Sequence, residues 1–132
     1  MTEVVYTQAY NKSDYNPSMP VLDIGVSRPG ATSPAVSLEV IVDTGADSSL
    51  FPVEVLQKIG ARIIDRAMLA GITGHRQRVD LYVVTLHMKD VRIHGVKVAA
   101  LPRGAPGVLG RDVLNQLSIC LNGPAGVIEV AL

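Results

Sequence analysis

Apolar residues along this chain occur in short runs separated by Gly, Pro, Asn and Asp, a pattern typical of β-strands joined by turns. Residues 21–26 and 36–42 form two such runs, and the Pro- and Gly-bearing break at 28–34 predicts a hairpin with a long loop. Later runs predict a β-meander at 63–64, 67–72, 79–88, 91–93 and 96–101, and a closing hairpin at 118–121 and 127–132 around a turn at 122–126.

Only two segments carry a helical pattern. Residues 52–60 begin with Pro, end with Gly and place apolar residues three apart, with Ser49 as a possible cap. Residues 110–117 are the second candidate. The chain has no internal repeat, so it is not a duplicated two-lobed protein. The sequence predicts an all-β fold with one or two short helices.

Composition indicates one domain without an obvious charged or membrane partner. The chain has 132 residues, 48% of them hydrophobic, which is enough for one core, and we expect the domain to cover residues 20–132. The polar residues 1–19 predict an N-terminal arm, either mobile or packed on a partner subunit. Twelve Lys and Arg balance twelve Asp and Glu, so nucleic acid is not an expected partner.

Two features of the sequence bear on the location of the protein. No apolar run reaches the roughly 18 to 20 residues of a membrane span, so no membrane contact is expected. Cys120 is the only cysteine, and the N-terminus lacks a charged region followed by an apolar one. Both observations favour a reducing, cytoplasmic setting.

An Asp-Thr-Gly turn, Asp43-Thr44-Gly45, follows the apolar run 36–42 and occurs once in the chain. Gly lets backbone N–H groups approach a carboxylate, Thr offers a hydroxyl that can lock the turn, and Asp supplies an acid or base. One buried Asp is a poor catalyst, whereas two that face each other are a good one. By itself the tripeptide also fits an ordinary turn.

A second motif, Leu109-Gly110-Arg111-Asp112, lies downstream after the apolar Val108. Together with Asp43-Thr44-Gly45-Ala46-Asp47 it resembles the retropepsin family, the retroviral-type aspartic proteases and their single-domain cellular and bacterial relatives. The resemblance covers roughly residues 20 to 122, with both motifs in the family's order and at about its spacing.

The resemblance implies a small closed β-barrel and a symmetric homodimer in which one Asp43 from each subunit meets at the two-fold axis. Two carboxyls about 3 Å apart cannot both ionise, as in the known aspartic-protease dyad. One Asp43 then activates a water that attacks the peptide carbonyl, while the protonated Asp43 donates a proton to the carbonyl oxygen. The implied protein is an aspartic endopeptidase that uses no metal or other cofactor.

Ala46 lacks the hydroxyl that a Ser or Thr at this position would donate to the carboxylate. Without that donor the charged dyad is less favoured, so we expect activity at mildly acid to near-neutral pH.

The resemblance also assigns roles to neighbouring residues. In the family the positions of Asp47 and Arg111 form an ion pair that ties the active-site loop to the C-terminal helix, and two unrelated surface charges are the alternative. Residues 69–76 match the flap, a hairpin that folds over the substrate, although an ordinary Gly-containing hairpin fits almost as well. The expected substrate-binding residues are Ala46, Asp47, Ser48, Gly71, Ile72, Thr73 and Gly74, with Leu101 as a further pocket candidate.

The expected substrate is an extended peptide bound as an added strand between flap and active-site floor. At the dimer interface we expect the C-terminal hairpin in place of a single terminal strand. The alternative function is a catalytically weak or inactive dimer that binds peptides or acts as a scaffold, and a third possibility is a plain β-barrel with chance motifs. The three histidines lack the spacing of metal ligands, so no metal site is expected.

Overall fold

The computed structural model describes residues 4–131 and contains ten strands and two short helices within that range. In chain order the elements are β1 Val4–Ala9, β2 Val21–Ser27, β3 Val36–Val42, β4 Leu50–Pro52, α1 Val53–Lys58, β5 Ile63–Ala70, β6 Arg76–Met88, β7 Val91–Leu101, β8 Gly107–Leu109, α2 Arg111–Leu114, β9 Ser118–Asn122 and β10 Val127–Ala131. Neither helix in this part of the chain is long and apolar enough to cross a membrane.

Six strands close into a barrel in the order β2-β3-β8-β4-β7-β6, because β6 pairs again with β2. The thirteen-residue β6 makes this possible, since its first half pairs with β5 and its last residues pair with β2. The all-β fold class with a closed barrel and short helices is confirmed. The β5–β6–β7 segment is the predicted meander, although each of β5 and β7 is one continuous strand rather than two runs.

The barrel interior holds the alternating apolar positions of its strands. In β2 the inward side chains of Leu22, Ile24 and Val26 are almost fully buried, while Asp23 between them is exposed. Fully buried partners come from the other barrel strands and from α1, namely Val40, Phe51, Leu56, Val84, Leu86, Val98 and Leu109. The hydrophobic alternation therefore sets which face of each strand points into the core.

Two parallel strand pairs position the candidate site. β3 lies beside β8, with Val42 opposite Leu109, and β4 lies beside β7. Parallel strands end at the same edge of a sheet. The segments that follow β3 and β8 are therefore neighbours, although Val42 and its partner Leu109 are 67 positions apart along the chain.

A second, three-stranded sheet contains both ends of the described chain in the order β1-β10-β9. Residues 1–19 were expected to form an arm, but Val4–Ala9 pairs antiparallel with β10. Further along the same segment, Asn11 and Met19 are joined by two backbone hydrogen bonds of 2.9 and 3.0 Å. Tyr6 and Tyr10 pack against the core. Their rings supply an apolar contact that the mainly polar composition of residues 1–19 does not indicate. Residues 1–3 lie outside the described residues.

Ser49 does not cap α1, so that prediction was wrong. The helix begins at Val53 after Pro52, which has the extended conformation of an N-cap but makes no side-chain capping bond. Three residues of β4 separate Ser49 from the helix, and its hydroxyl bonds elsewhere.

Candidate active site

Asp43 lies where the parallel strands β3 and β8 end. Its backbone N–H donates to the carbonyl of Leu109 at 3.1 Å, which extends the β3–β8 pairing by one step. The residue is half-buried, while Thr44 and Gly45 beyond it are exposed. The strand pairing therefore presents the carboxyl of Asp43 at the rim of the barrel.

The Asp43 turn is closed mainly by Asp43 itself. The Gly45 N–H donates to the Asp43 Oδ1 at 2.9 Å, and the Ala46 N–H donates to the Asp43 carbonyl at 3.2 Å. A Cβ at position 45 would lie 3.1 Å from the same Oδ1, which is a tight contact that Gly avoids. The exposed Thr44 hydroxyl, expected to lock the turn, has no hydrogen bond to other residues within 6–131.

Arg111 joins the second motif to this loop at three points. Its Nη1 donates to the Thr44 carbonyl at 2.6 Å, its Nη2 donates to the Asp47 Oδ1 at 2.5 Å, and its backbone N–H donates to the Ala46 carbonyl at 2.9 Å. The ion pair is open to solvent, because the side chains are 43% exposed for Arg111 and 87% for Asp47. An ion pair as exposed as this one contributes little to the free energy of unfolding.

A second link, between Ser49 and Asp112, was missed in the sequence. The carboxylate of Asp112 accepts from the Ser49 N–H at 3.1 Å and from the Ser49 hydroxyl at 2.8 Å. The Ser49 Oγ in turn accepts from the Gly110 N–H at 3.0 Å. One feature of the sequence could have indicated that Ser49 is buried and needs a hydrogen-bond partner. The polar Ser49 is followed directly by the apolar Leu50-Phe51, which places its hydroxyl next to the core.

Gly110 is required by close packing rather than by its backbone angles. A Cβ at this position would lie 2.7 Å from the Ser48 carbonyl carbon and oxygen and 2.9 Å from the Ala46 oxygen. Backbone atoms at these distances cannot move aside individually, so any larger residue would push α2 away from the Asp43 loop. Gly110 therefore permits the contacts that Arg111 and Asp112 make.

Gly71, Ile72, Thr73 and Gly74 form the tip of the hairpin between β5 and β6. The tip is closed by hydrogen bonds from the Gly71 N–H to the His75 carbonyl at 3.0 Å and from the Gly74 N–H to the Gly71 carbonyl at 2.9 Å. Gly74 has φ +81°, a conformation that favours Gly. Ile72 is fully exposed, which is unusual for a large apolar side chain.

The other predicted binding residues lie around the loop. Ala46 and Ser48 are half-buried, Asp47 is exposed, and Leu101 is half-buried at the end of β7. Ser48 also lines a cavity of about 240 Å³, on whose wall Asp112 lies. Within the protomer the loop residues are thus close to one another, while the hairpin tip makes its hydrogen bonds within itself.

His87 is buried in the barrel wall, where its Nε2 lies 2.7 Å from the Ser27 Oγ. The Ser27 hydroxyl donates to the Arg28 carbonyl at 3.0 Å, so the imidazole is the donor to the Ser27 oxygen. Burial, followed by the positive charges of Arg92 and His94, lowers the pKa of His87 from its ordinary value of 6.5. The surroundings of His87 therefore favour its neutral form.

Several solved structures share this fold. A retropepsin-like aspartic protease from Rickettsia conorii has a TM-score of 0.68 at 16% identity, covering 99% of this chain and 94% of that one. The EIAV protease in complex with the inhibitor HBY-793 has a TM-score of 0.60 at 23% identity, covering 83% and 93%. The retroviral protease-like domain of Ddi1 from Leishmania major has a TM-score of 0.52 at 14% identity, covering 79% and 81%. These structural similarities show that the chain has the retropepsin-like fold.

Sequence comparison identifies the family. No curated protein sequence matches the chain significantly. The family model described as aspartyl protease matches residues 32–113, a range that is well over half of the chain and contains both the Asp43 turn and the Gly110-Arg111-Asp112 motif. The chain therefore belongs to the aspartyl protease family.

Proposed function

We propose that this protein is an aspartic endopeptidase whose catalytic pair consists of Asp43 from each of two identical subunits. The observation that carries the proposal is the Asp43 turn itself: a half-buried carboxyl at the rim of the barrel, held by the Gly45 N–H at 2.9 Å. Among the described residues Asp43 forms no ion pair, and a purely structural turn has no need of an acid without a cation beside it. Arg111 pairs with Asp47 instead.

The chemistry follows from two such carboxyls at close distance. One proton is shared between them, because two negative charges about 3 Å apart repel strongly. The ionised Asp43 removes a proton from a water as its oxygen attacks the scissile carbonyl carbon. The protonated Asp43 of the second subunit gives its proton to the carbonyl oxygen. As the tetrahedral intermediate collapses, the proton taken from water passes to the leaving nitrogen and one hydroxyl returns a proton to the second Asp43. The products are the amine and the carboxylic acid.

The substrate in this proposal is an extended peptide. The β5–β6 hairpin provides the covering element, with Ile72 exposed at its tip and Gly71 and Gly74 as the positions where the backbone can bend. Ala46, Asp47 and Ser48 form the opposite wall beside Asp43. An extended peptide between the two would use backbone hydrogen bonds for affinity and alternate side chains for specificity.

The direct test is cleavage of a diverse peptide library by the purified protein, with the products identified by mass spectrometry. Asp43→Asn removes the acid while it keeps the size and an acceptor oxygen for the Gly45 N–H, so it should abolish cleavage without unfolding the barrel. Equal cleavage by both proteins would refute the catalytic assignment. Binding of peptides without cleavage by either would favour the peptide-binding or scaffold module.

The dimer needs its own measurement. Sedimentation equilibrium over a range of protein concentrations should show a monomer–dimer equilibrium, and specific activity should fall in proportion to the monomer fraction. A cleaving protein that remains monomeric at every concentration contradicts the paired-Asp43 mechanism. The cytoplasmic location expected from the sequence remains a prediction.

A further inference from the structure

The two faces of the β5–β6 hairpin differ in charge. One face, named here the arginine face, carries the cross-strand pairs Arg66 and Asp80, Met68 and Arg78, and Ala70 and Arg76. The other face carries Ala67 opposite Val79 and Leu69 opposite Gln77, none of which is charged. An ion pair between the Arg66 Nε and the Asp80 Oδ1 at 3.3 Å shows that these two side chains share the arginine face.

The arginine face continues the inner side of the barrel wall. Side chains two positions apart on a strand point to the same side, so Arg76, Arg78 and Asp80 lie on the side of β6 that also carries Tyr82. Tyr82 is buried in the core. The β5–β6 pairing has no register shift from Asp65 to its last pair, so this alternation is not interrupted along the hairpin. A peptide held between the hairpin and the Asp43 loop would therefore meet the arginine face.

The arginine face is also the open face of the hairpin. Met68, at its middle, is 56% exposed, and the three arginines around it are exposed as well. On the other face Val79 is buried, and Ala67 and Leu69 are half-buried. The protomer thus covers much of the uncharged face itself and leaves the arginine face accessible to a ligand.

The charges of the arginine face are not balanced within the protomer. Three arginines and one aspartate give it a net charge of +2, and the aspartate is already paired with Arg66. In the part of the chain that the structure describes, neither Arg76 nor Arg78 forms an ion pair. Their backbones are about 7 Å apart along the strand, within the range over which like charges still repel at physiological salt. A negative group beside them relieves this repulsion.

We propose that the arginine face selects peptides that carry Asp or Glu beside the cleaved bond. This inference rests on the proposed function and names its substrate class. A carboxylate of the peptide accepts hydrogen bonds from the guanidinium of Arg76 or Arg78, which can donate through two parallel N–H groups. The proposed dimer contains this face twice, so acidic residues are expected on both sides of the cleaved bond.

The peptide library gives the first test. At about pH 6.5 the side chains of Asp and Glu are ionised, and the residues that flank cleaved bonds should then be enriched in Asp and Glu and depleted in Lys and Arg. Flanking residues with as many basic as acidic side chains, relative to the whole library, would overturn the inference.

A matched pair of peptides measures the effect. An apolar centre is flanked on both sides by Glu in one peptide and by Gln in the other. The wild type should cleave the Glu peptide with a kcat/KM about 10-fold higher, because each partly exposed ion pair contributes a factor of about 2 to 5. The variant Arg76→Gln with Arg78→Gln should show nearly equal kcat/KM values for the two peptides.

The control removes the same charge elsewhere. Lys12 and Lys58 are exposed and lie outside the hairpin, so Lys12→Gln with Lys58→Gln lowers the net charge by the same amount and should keep the preference for the Glu peptide. Loss of the preference in both variants would assign it to the charge of the whole protein rather than to the arginine face.

A reversal of charge gives a result that misfolding cannot produce. The variant Arg76→Glu with Arg78→Glu should prefer a peptide flanked by Lys to the peptide flanked by Glu. An unchanged preference for the Glu peptide in this variant would overturn the inference.

Asp43→Asn separates recognition from cleavage. Calorimetric titration of this variant with the Glu and Gln peptides measures binding without turnover, and the preference should decrease as salt is raised from about 0.05 M to about 0.5 M. If the wild type cleaves no peptide but Asp43→Asn prefers the Glu peptide, the proposed function fails and the arginine face stands. If the wild type cleaves peptides without regard to charge, the proposed function stands and the inference fails.

Discussion

Ser49→Ala is the sharpest single test of how the two motifs are held together. Ser49 is fully buried, and its hydroxyl makes two bonds, one to the Asp112 carboxylate at 2.8 Å and one from the Gly110 N–H at 3.0 Å. The substitution removes one oxygen and leaves the Cβ in place. Any loss of stability therefore reports on these hydrogen bonds rather than on a large cavity.

The expected magnitude follows from the two bonds. A hydrogen bond to a charged acceptor contributes about 1.5–3 kcal/mol, and a buried N–H left without a partner costs about 1–3 kcal/mol. Because both effects depend on the same oxygen and the loop can partly relax, we expect a decrease of about 2–4 kcal/mol in the free energy of unfolding. For a chain of this size, such a loss lowers the melting temperature by roughly 7–14 °C.

The assay is urea unfolding at fixed protein concentration, since dimerisation makes apparent stability depend on concentration. The chain has no Trp and four Tyr, so far-ultraviolet circular dichroism is the suitable signal. Ser37→Ala is the matched control, because Ser37 is exposed on β3, and it should cost less than about 0.5 kcal/mol. Equal losses for the two variants would refute the argument, as would additive effects of Ser49→Ala and Asp112→Asn in a double-mutant cycle.

Three further predictions concern other groups. Because burial and nearby positive charge lower the pKa of His87, the folded protein binds fewer protons there than the unfolded chain, so stability should fall as pH drops below about 6.5. The urea midpoint should therefore fall between about pH 7.5 and about pH 5.5, and it should fall less for His87→Gln than for the wild type. An equal fall in the two proteins would contradict this prediction. Tyr6 has a buried hydroxyl that has no hydrogen-bond partner among the described residues, and burial, then the charge of Asp23, raises its pKa to about 12. Tyr6→Phe should therefore stabilise the protein by about 1 kcal/mol in the same unfolding assay, a claim that a destabilised variant would contradict. Asp47→Asn should cost less than about 1 kcal/mol, because its ion pair is exposed, and a loss of several kcal/mol would show that the pair is shielded from water in solution.

Strands with a clear alternation were predictable from the sequence. Residues 36–42 were expected as a strand and form β3, and the closing hairpin was expected at nearly the positions of β9 and β10. In these segments burial on one face fixes both the element and its orientation. The short β4 and β8 were missed, because three residues are too few to show a period and their pairing partners lie far away in the sequence.

The site was predictable to the extent that its residues lie in the two motifs. Local patterns placed Asp43 at the end of a strand, and the resemblance supplied its relation to Arg111. The Ser49–Asp112 bonds join residues 63 positions apart, so no local pattern indicates them. The exposure of Asp47 and Arg111 could not be predicted from the sequence either, because it depends on how far the loop projects from the barrel.

Hydrogen bonds within the protomer hold the Asp43 loop. The Gly45 N–H donates to the Asp43 carboxyl, Arg111 donates to the carbonyls of Thr44 and Ala46, and the Asp112 carboxylate accepts from Ser49. These bonds tie the Asp43 carboxyl to the segment that follows β8. In the proposed dimer the partner contributes the second carboxyl. Because each dimer then holds one complete pair of carboxyls, catalysis should follow the fraction of dimer.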